Sequence, residues 1–357
     1  ETEVIYLYEV NYDEGYNDVA TITGHEGDIS GDITIPSTLG GYPVTSIGDW
    51  AFSYCRALTS MTIPEGVASI GEWAFYGCYR FTGNLTIPSS VTSIEWEAFR
   101  GCSGFTGIEM NSVPQTGTDA FNSVNCTKAV VLSDDSYVYT GENPYFPAVQ
   151  SATYTRRGIK NQWGTIVVPF DVNGSGDDYD LYTLSSVWEF ELTLTKVNGT
   201  LAAGTPALIR LHDDLDGDYD LTLTAANTAV SGQLAEGSEA DGYQLVGTYE
   251  TTELSADDYF ISNNKFWSVG EMVYNGAIGV KTAPFRAYIH HSWAGAKAHT
   301  LSIRIADEDV TAVETLNAIT EGDAEYYDMN GRRINSLQKG VNIVKMSNGK
   351  TIKVNIK

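Results

Sequence analysis

Apolar and polar positions between residues 31 and 125 repeat about every two dozen residues. Each of three units has an isoleucine, an Ala-Phe pair, a cysteine three positions after the phenylalanine and a bulky apolar residue six positions after it. The units are Ile47 to Leu58, Ile70 to Phe81 and Ile94 to Phe105, and a degenerate fourth unit keeps only Ala120 and Phe121. Successive phenylalanines lie 23, 24 and 22 residues apart.

A period of roughly 20 to 29 residues is typical of a solenoid, in which each rung buries its apolar face only by stacking on the next rung. We therefore expect the repeated Ile, Ala, Phe, Cys and Leu positions to form interior columns. A Thr-Ile-Pro triplet, ending at Pro36, Pro64 and Pro88, precedes the units. Proline after a β-branched pair ends a strand where no further ladder N–H is needed.

Alternating residues on either side of this array predict its caps. In residues 1 to 30, alternating Tyr, Val and Thr residues predict a hairpin that covers the open edge of the solenoid. Residues 127 to 150 are expected to cap the other end and to lead into a linker.

Thr-Ile-Pro followed by Thr-Ser-Ile-Gly-x-x-Ala-Phe-x-x-Cys-x-x-Leu resembles the BspA-type leucine-rich repeats of Bacteroidetes surface proteins. The resemblance covers residues 31 to 125. It implies a leucine-rich-repeat solenoid, an extracellular or outer-surface location, and adhesion to a host or neighbouring-cell protein or glycan. Some relatives of this kind bind host matrix proteins.

The rest of the chain shows short strand candidates separated by turn residues, without an amphipathic helical stretch. They are 164–172, 187–194, 207–211, 219–223, 243–249, 259–262, 285–290 and 300–305. Regular short strands favour a β-sandwich. We therefore predict a mainly β protein with a capped solenoid in residues 1–150, a β-sandwich in residues 151–310 and a small β module in residues 311–357.

The last segment resembles the C-terminal sorting domain of exported Bacteroidetes proteins, through Tyr327-Asp328-Met329-Asn330-Gly331-Arg332-Arg333 and the later Lys339-Gly340-Val341-Asn342-Ile343-Val344. Its Asn-Gly dipeptides at 330–331 and 348–349 predict two hairpins. The usual aromatic residue after Gly-Val is Asn342 here, so a vestigial β module is the alternative to active sorting.

Charge narrows the choice of partners. The formal net charge of −25 argues against nucleic acid, because such binding depends on Lys and Arg neutralising phosphates. The final segment differs, since residues 324–357 hold 2 acidic and 7 basic residues. No apolar run reaches the roughly 18 residues of a membrane-spanning helix. The sequence starts at Glu1 without a signal peptide, so we expect that an export signal has been removed.

Trp50, Trp73 and Trp96 recur near the same position of adjacent rungs, beside Asp49, Glu72 and Glu95. Rungs stacked about 5 Å apart would align these indoles in a ladder. Such a ladder with its acids could hold a sugar or a peptide. The alternative is that the rings only cover the turn edge of the solenoid.

Four acids, Asp214, Asp216, Asp218 and Asp220, form a loop that could bind calcium. In an EF-hand register Tyr219 replaces the required glycine and Ala225 the bidentate glutamate, so a solvated acidic loop is the preferred interpretation. We expect no other metal and no cofactor.

The cysteines Cys55, Cys78 and Cys102 fall once per rung and are expected to be buried free thiols. Cys126 is out of register with them. A disulfide between Cys102 and Cys126 is the alternative, since both lie near the end of the array.

No nucleophile or metalloprotease motif occurs in the chain, so we predict a binding protein without catalysis. A monomeric adhesin-like protein that binds through the solenoid is the first hypothesis, and a carbohydrate-binding accessory protein is the second. A glycoside hydrolase is a distant third, because carboxylate pairs such as Glu95 and Glu97, or Asp257 and Asp258, occur in any acidic chain.

Overall fold

A computed structural model shows the fold of the protein. It describes residues 4–12, 17–124, 127–140, 145–159, 162–188, 190–212, 219–270, 279–292, 300–306, 325–328, 332–334, 340–345 and 351–356. These residues lie almost entirely in strands and turns, which confirms the predicted mainly β class.

The first twelve strands build the repeat region. They are β1 Ile5–Tyr12, β2 Asp18–Glu26, β3 Ser30–Thr34, β4 Thr38–Leu39, β5 Tyr42–Ile47, β6 Ala57–Thr62, β7 Ser69–Ile70, β8 Asn84–Ile87, β9 Ser93–Ile94, β10 Gly107–Met110, β11 Gln115–Thr116 and β12 Thr127–Ser133. One sheet has the order β1-β2-β5-β7-β9-β11, and from β5 onwards each strand is parallel to the next. A second row of parallel strands contains the pairs β3–β6, β8–β10 and β10–β12.

Side chains that repeat in the sequence form columns inside this region. The rings of Phe52, Phe75, Phe99 and Phe121 are stacked, with successive centroids 5.2, 5.1 and 5.5 Å apart and nearly parallel planes. The isoleucines Ile47, Ile70 and Ile94 and the cysteines Cys55, Cys78 and Cys102 are all buried. The predicted stacking of rungs is therefore confirmed.

The predicted N-terminal hairpin is also present. Strands β1 and β2 pair antiparallel, and β2 continues the solenoid sheet by pairing parallel with β5. His25 of β2 stacks on Phe52 with centroids 5.8 Å apart, so the aromatic column extends into the cap.

The next eight strands are β13 Tyr145–Ile159, β14 Trp163–Ile166, β15 Val172–Asn173, β16 Tyr179–Trp188, β17 Glu191–Lys196, β18 Thr200–Leu201, β19 Ala207–Leu211 and β20 Tyr219–Ser231. Strand β13 pairs parallel with β12 and antiparallel with β20, so the second row of the solenoid continues into the following region. Position 150, the predicted domain boundary, lies within β13, and the division into three domains stays a prediction.

Eight further strands complete the middle region: β21 Glu239–Ala240, β22 Tyr243–Thr248, β23 Thr252–Glu253, β24 Asp258–Ser262, β25 Lys265–Ser268, β26 Lys281–Thr282, β27 Arg286–His291 and β28 Thr300–Ile305. A ten-stranded sheet has the order β14-β19-β16-β17-β28-β25-β24-β27-β22-β21. It curls on itself, because Thr165 of β14 accepts a hydrogen bond from the Ala287 amide of β27 and donates one to the Ala287 carbonyl. Whether this unit is a sandwich stays a prediction.

Two predicted strands are interrupted. Within the segment 164–172, β14 ends at Ile166 and β15 begins only at Val172. The segment 187–194 is the tip of a hairpin, in which Trp188 of β16 pairs with Glu191 of β17. Phe190 has a φ of 70° at this turn. The apolar and aromatic residues favoured one continuous strand, whereas the chain reverses within it.

Four strands form the C-terminal sheet: β29 Glu325–Asp328, β30 Arg333–Ile334, β31 Gly340–Lys345 and β32 Thr351–Ile356. Strands β29 and β30 pair antiparallel, as do β31 and β32, in agreement with the two predicted hairpins. Both Asn-Gly dipeptides lie outside the described residues. Sorting by this segment stays a prediction.

Candidate functional site

The turn that follows each strand of the first sheet forms one edge of the solenoid. Backbone hydrogen bonds join successive turns: the amides of Trp50 and Tyr54 donate to the carbonyls of Glu72 and Tyr76 at 2.9 and 2.7 Å. The Ala51-Phe52 pair is buried, whereas Trp50 before it and Tyr54 after it are exposed. We call these turns the aromatic edge. Its rings are Trp50, Trp73, Trp96, Tyr54, Tyr76 and Tyr79.

The structure brings the three predicted tryptophans together. Trp50 and Trp73 are stacked with centroids 4.3 Å apart and an interplanar angle of 24°. Trp96 lies 4.6 Å from Trp73, but its plane is tilted by 59°. Trp50 is 51% exposed and Trp96 40% exposed, so the two ends of the column are open to solvent.

Sequence reasoning missed the tyrosines beside this column. Tyr54 and Tyr76 meet edge to face with centroids 5.3 Å apart. The guanidinium of Arg56 lies 5.0 Å from the ring centroid of Tyr54 and 5.9 Å from that of Tyr79. The available signal was a tyrosine shortly after the phenylalanine in the first two units, which a search for strict positional identity overlooks.

Backbone conformation marks the aromatic edge as unusual. Trp50, Tyr54 and Trp73 have φ values of 60°, 58° and 51°, in the left-handed region that bulky residues seldom adopt. In the later turns, Gly77 and Gly101 also have positive φ values. The Tyr54 ring lies against Gly77, where an added Cβ would come within 2.9 Å of it. Strained residues of this kind cluster at functional sites.

The predicted acids have different environments. Asp49 is exposed, and its Oδ1 accepts a hydrogen bond from the Glu72 amide at 2.8 Å. Glu97, not Glu72 or Glu95, contacts an indole: its Oε2 accepts from Trp73 Nε1 at 3.1 Å. Glu97 also pairs with Arg100, and this hydrogen bond raises the pKa of the Arg100 guanidinium.

Stacking limits what the column can bind. A sugar packs its apolar face on the flat face of an aromatic ring, but the facing surfaces of Trp50 and Trp73 are closed to it at 4.3 Å. The tilt of Trp96 leaves more of that ring accessible. The ladder therefore presents ring edges and its two ends to a ligand.

The calcium prediction stays untested, because Asp214, Asp216 and Asp218 lie outside the described residues. Asp220 is exposed on β20. Among the described residues, no group of three or more His, Cys, Asp or Glu side chains is placed to hold a metal ion.

The prediction of buried free thiols is confirmed for Cys55, Cys78 and Cys102. The Cys78 and Cys102 thiols donate to the carbonyls of Phe52 and Phe75 at 3.1 and 3.0 Å. Burial is the main cause that raises the pKa of Cys55 to about 12. Cys126 lies outside the described residues.

A second polar cluster, far along the chain, contains Asp258, which the sequence named only as one half of a carboxylate pair with Asp257. Asp258 is buried, and its carboxylate accepts hydrogen bonds from the amide and hydroxyl of Ser255 at 2.6 and 2.7 Å. His290 Nδ1 lies 2.8 Å from the other carboxylate oxygen. The neighbouring His291 is buried on the other side of the strand, against Tyr243.

Comparison with known families supports the interpretation of the repeats. Residues 30–141 match the model of the BspA type leucine rich repeat region, in six copies. The resemblance inferred from the sequence is therefore confirmed for the repeat region, although the match has more copies than the four units counted by spacing. No curated protein sequence matches the chain.

Three solved structures are similar to part of the chain. A leucine rich repeat protein of T. pallidum is 22% identical, with a TM-score of 0.29, over 35% of this chain and 68% of that one. A leucine-rich repeat protein of Bacteroides ovatus is 28% identical, with a TM-score of 0.30, over 39% and 37%. A leucine rich cell surface protein of Faecalibacterium prausnitzii is 19% identical, with a TM-score of 0.23, over 40% and 73%.

No described helix has the length and apolar character needed to cross a membrane.

Proposed function

We propose that this protein is a cell-surface interaction protein without catalytic activity, and that it binds a host or neighbouring-cell macromolecule through the aromatic edge of its solenoid. The observation that carries the proposal is a row of exposed aromatic rings held on a rigid edge. Trp50, Tyr54, Tyr79 and Trp96 are each between 40% and 51% exposed. Contiguous exposed apolar surface of this kind marks interaction sites.

Backbone strain supports the same proposal. Gly and acidic residues occupy the equivalent left-handed positions in other turns, among them Gly77, Gly101 and Asp119. These residues adopt positive φ more easily than Trp or Tyr. The backbone conformation therefore does not explain why Trp50, Tyr54 and Trp73 are aromatic. Tryptophan and tyrosine are also the residues most often found at binding hot spots.

Carbohydrate binding is the second candidate, favoured by one observation. Trp96 is exposed and tilted away from Trp73, so part of its ring face is open. A glycan would then contact one end of the column and not its length.

Binding of the purified protein to panels of extracellular matrix proteins and of glycans tests the proposal. Trp50→Asn removes one ring, and asparagine tolerates the left-handed backbone at this position. Trp188→Thr removes an indole that is 69% exposed on the β16–β17 hairpin, outside the repeats, and serves as the matched control. Binding to a matrix protein that is lost in Trp50→Asn and kept in Trp188→Thr supports the proposal. Equal loss in both variants, or no binding to any protein, overturns it.

We further propose that the protein is extracellular and that residues 311–357 direct its sorting. The similarity of the C-terminal segment to sorting domains supports this assignment. Deleting residues 311–357 from the exported protein should leave it unattached in the culture medium. Retention of the truncated protein on the cell would refute the sorting role.

A further inference from the structure

We propose that the aromatic edge selects cationic polypeptides, whose arginine or lysine side chains contact the exposed rings while the neighbouring carboxylates neutralise their charge. This inference rests on the proposed function and names the chemistry of the partner. Three observations carry it: a guanidinium that already occupies the surface, the excess of acids along the edge, and the way in which stacking closes the ring faces.

The protein itself places a guanidinium among these rings. Arg56 lies between Tyr54 and Tyr79, at 5.0 and 5.9 Å from their centroids. Both distances fall within the roughly 6 Å range in which a cation is attracted to an aromatic face. Tyr54 and Tyr79 stay about half exposed beside Arg56. The surface therefore accommodates a planar cation and leaves ring surface for another.

Acids outnumber bases along the repeats. Residues 31–125 contain 8 acids, 3 arginines and no lysine. Asp49, Glu95 and Asp119 are exposed in the first, third and fourth turns of the edge. Arg100, by contrast, is paired with Glu97. A partner that brings positive charge would therefore meet carboxylates that the repeats themselves do not neutralise.

The long-range field acts in the same direction. A net charge of −25 attracts cationic partners and repels phosphate groups of nucleic acids and anionic lipids. A basic polypeptide carries side chains that bind aromatic rings, and its positive charge is complementary to the negative charge of this protein. A neutral glycan gains nothing from this field.

Stacking also favours side chains over larger ligands. Only the ends of the tryptophan column, at Trp50 and Trp96, offer substantial ring surface. A guanidinium is planar and small enough to cover one such ring, and it can donate hydrogen bonds to an adjacent carboxylate. Asp49 directly precedes Trp50, and Glu95 directly precedes Trp96. Each open ring thus has an exposed acid next to it in the chain.

Two synthetic peptides test the inference with the whole chain: a fourfold Gly-Arg-Ser repeat, and its twin in which citrulline replaces every arginine. Citrulline keeps the planar shape and removes the charge. We expect the arginine peptide to quench tryptophan fluorescence and to bind more weakly as salt rises, because exposed charges are screened. The citrulline peptide should not bind at the same concentrations.

Three variants locate the site. Trp50→Asn should lower the affinity for the arginine peptide about two- to fivefold, which is the contribution expected of one exposed cation–π contact. Asp49→Asn removes charge but retains the Oδ1 acceptor for the Glu72 amide, and together with Glu95→Gln it should weaken binding and flatten the salt dependence. Trp188→Thr should bind as the wild type does. Circular dichroism checks that each variant is folded.

Equal binding of the two peptides would overturn the cationic specificity, even where a matrix protein still binds and the proposed function holds. The arginine peptide could also bind Trp50→Asn and the Asp49→Asn, Glu95→Gln double variant as tightly as the wild type. That result would show that the aromatic edge is not the binding site. No binding of the arginine peptide, combined with a matrix protein that binds through Trp50, would also overturn the inference while leaving the interaction role standing.

Discussion

One position in each turn of the solenoid both adopts a left-handed backbone and supplies a side chain to the surface, and the repeat pattern does not distinguish these two roles. The position before each Ala-Phe pair holds Trp50, Trp73, Glu97 and Asp119, and all four have positive φ. The backbone demands a left-handed residue there, while the choice between an aromatic and an acidic side chain decides what the surface offers. Trp96 is shifted by one residue because Glu97 takes the left-handed position and binds Trp73.

Cysteine reactivity is a prediction at this scale. Cys55, Cys78 and Cys102 are buried, and burial raises the pKa of the Cys55 thiol to about 12. Since the thiolate is the reactive form, these thiols should not react with Ellman's reagent at pH 8 while the protein is folded. Measured in a Cys126→Ser background, all three should react only after denaturation. Fast labelling of the folded protein would contradict the buried columns.

His291 predicts a pH dependence of stability. Its ring is 5% exposed, and Nδ1 has no hydrogen-bond partner among the described residues. Burial, and then the charge of neighbouring His290, lowers the pKa of His291. The folded state therefore binds this proton more weakly than the unfolded chain, in which the pKa is about 6.5. Above that pH both states are neutral at this site, and stability falls as the pH drops through 6.5 towards the folded pKa.

The measurement compares thermal unfolding of the wild type and of His291→Phe between pH 8 and pH 5. The melting temperature of the wild type should fall more steeply below about pH 6.5 than that of the variant. Parallel curves for the two proteins would show that protonation of His291 does not affect folding.

The short strands of the solenoid form only because they pair with strands of the neighbouring rungs. Strands β7 and β9 have only two residues each, far too short to form alone. They form because Ser69 and Ile70 pair in register with Ser46 and Ile47 on one side and with Ser93 and Ile94 on the other. Stacking of rungs therefore replaces intrinsic strand propensity.

Removing a ring from the phenylalanine column tests this dependence. Phe75 is fully buried between Phe52 and Phe99, so Phe75→Ala opens a cavity in the middle of the column. We expect a loss of about 3 to 5 kcal/mol in the free energy of unfolding, measured by urea denaturation. Phe190→Ala makes the same change at an exposed, left-handed position and should cost far less. Similar losses in the two variants would contradict the column as a source of stability.

Strand candidates outside the repeats show the limit of local patterns. The predicted segments 207–211 and 300–305 coincide with β19 and β28. Strand β20 extends eight residues beyond the predicted 219–223 because its later residues pair with β13. Pairing over such a distance in sequence leaves no trace in a local alternation.

At the scale of the molecule, a half-buried polar cluster joins the end of the solenoid to the middle region. Asp134, just after β12, accepts hydrogen bonds from Tyr154 of β13 and from Arg286 of β27, the latter at 2.7 Å. Arg286 also donates to the Tyr154 hydroxyl at 2.7 Å. Burial, followed by the charge of Arg286, lowers the pKa of nearby Arg156 to about 10. Asp134 thus partly compensates two crowded guanidinium groups.

Asp134→Asn should therefore destabilise the protein by about 1 to 3 kcal/mol, because Arg286 is left without a charged partner. Asp135→Asn alters the exposed neighbouring acid and serves as the control. Thermal unfolding followed by circular dichroism measures both variants. A melting temperature for Asp134→Asn equal to that of Asp135→Asn would show that the cluster contributes nothing to the junction.

The sequence by itself determined the repeat region. Periodic Ile, Phe and Cys positions require rungs that stack, since a single rung cannot bury its apolar face, and this physical necessity predicted the columns and the aligned tryptophans. Alternating residues in positions 1 to 30 predicted the N-terminal hairpin. The type of the fold follows from the same constraint.

Only the tertiary structure decided how the aromatic edge is built. In the folded protein Arg56 lies between Tyr54 and Tyr79. Trp73 donates a hydrogen bond to Glu97, and its ring stacks on Trp50, so the facing ring surfaces are closed to a ligand. The tertiary structure also carried the sheet through β13 into the next region. These features depend on side-chain direction and on contacts between distant segments, which the spacing of residues along one chain does not contain.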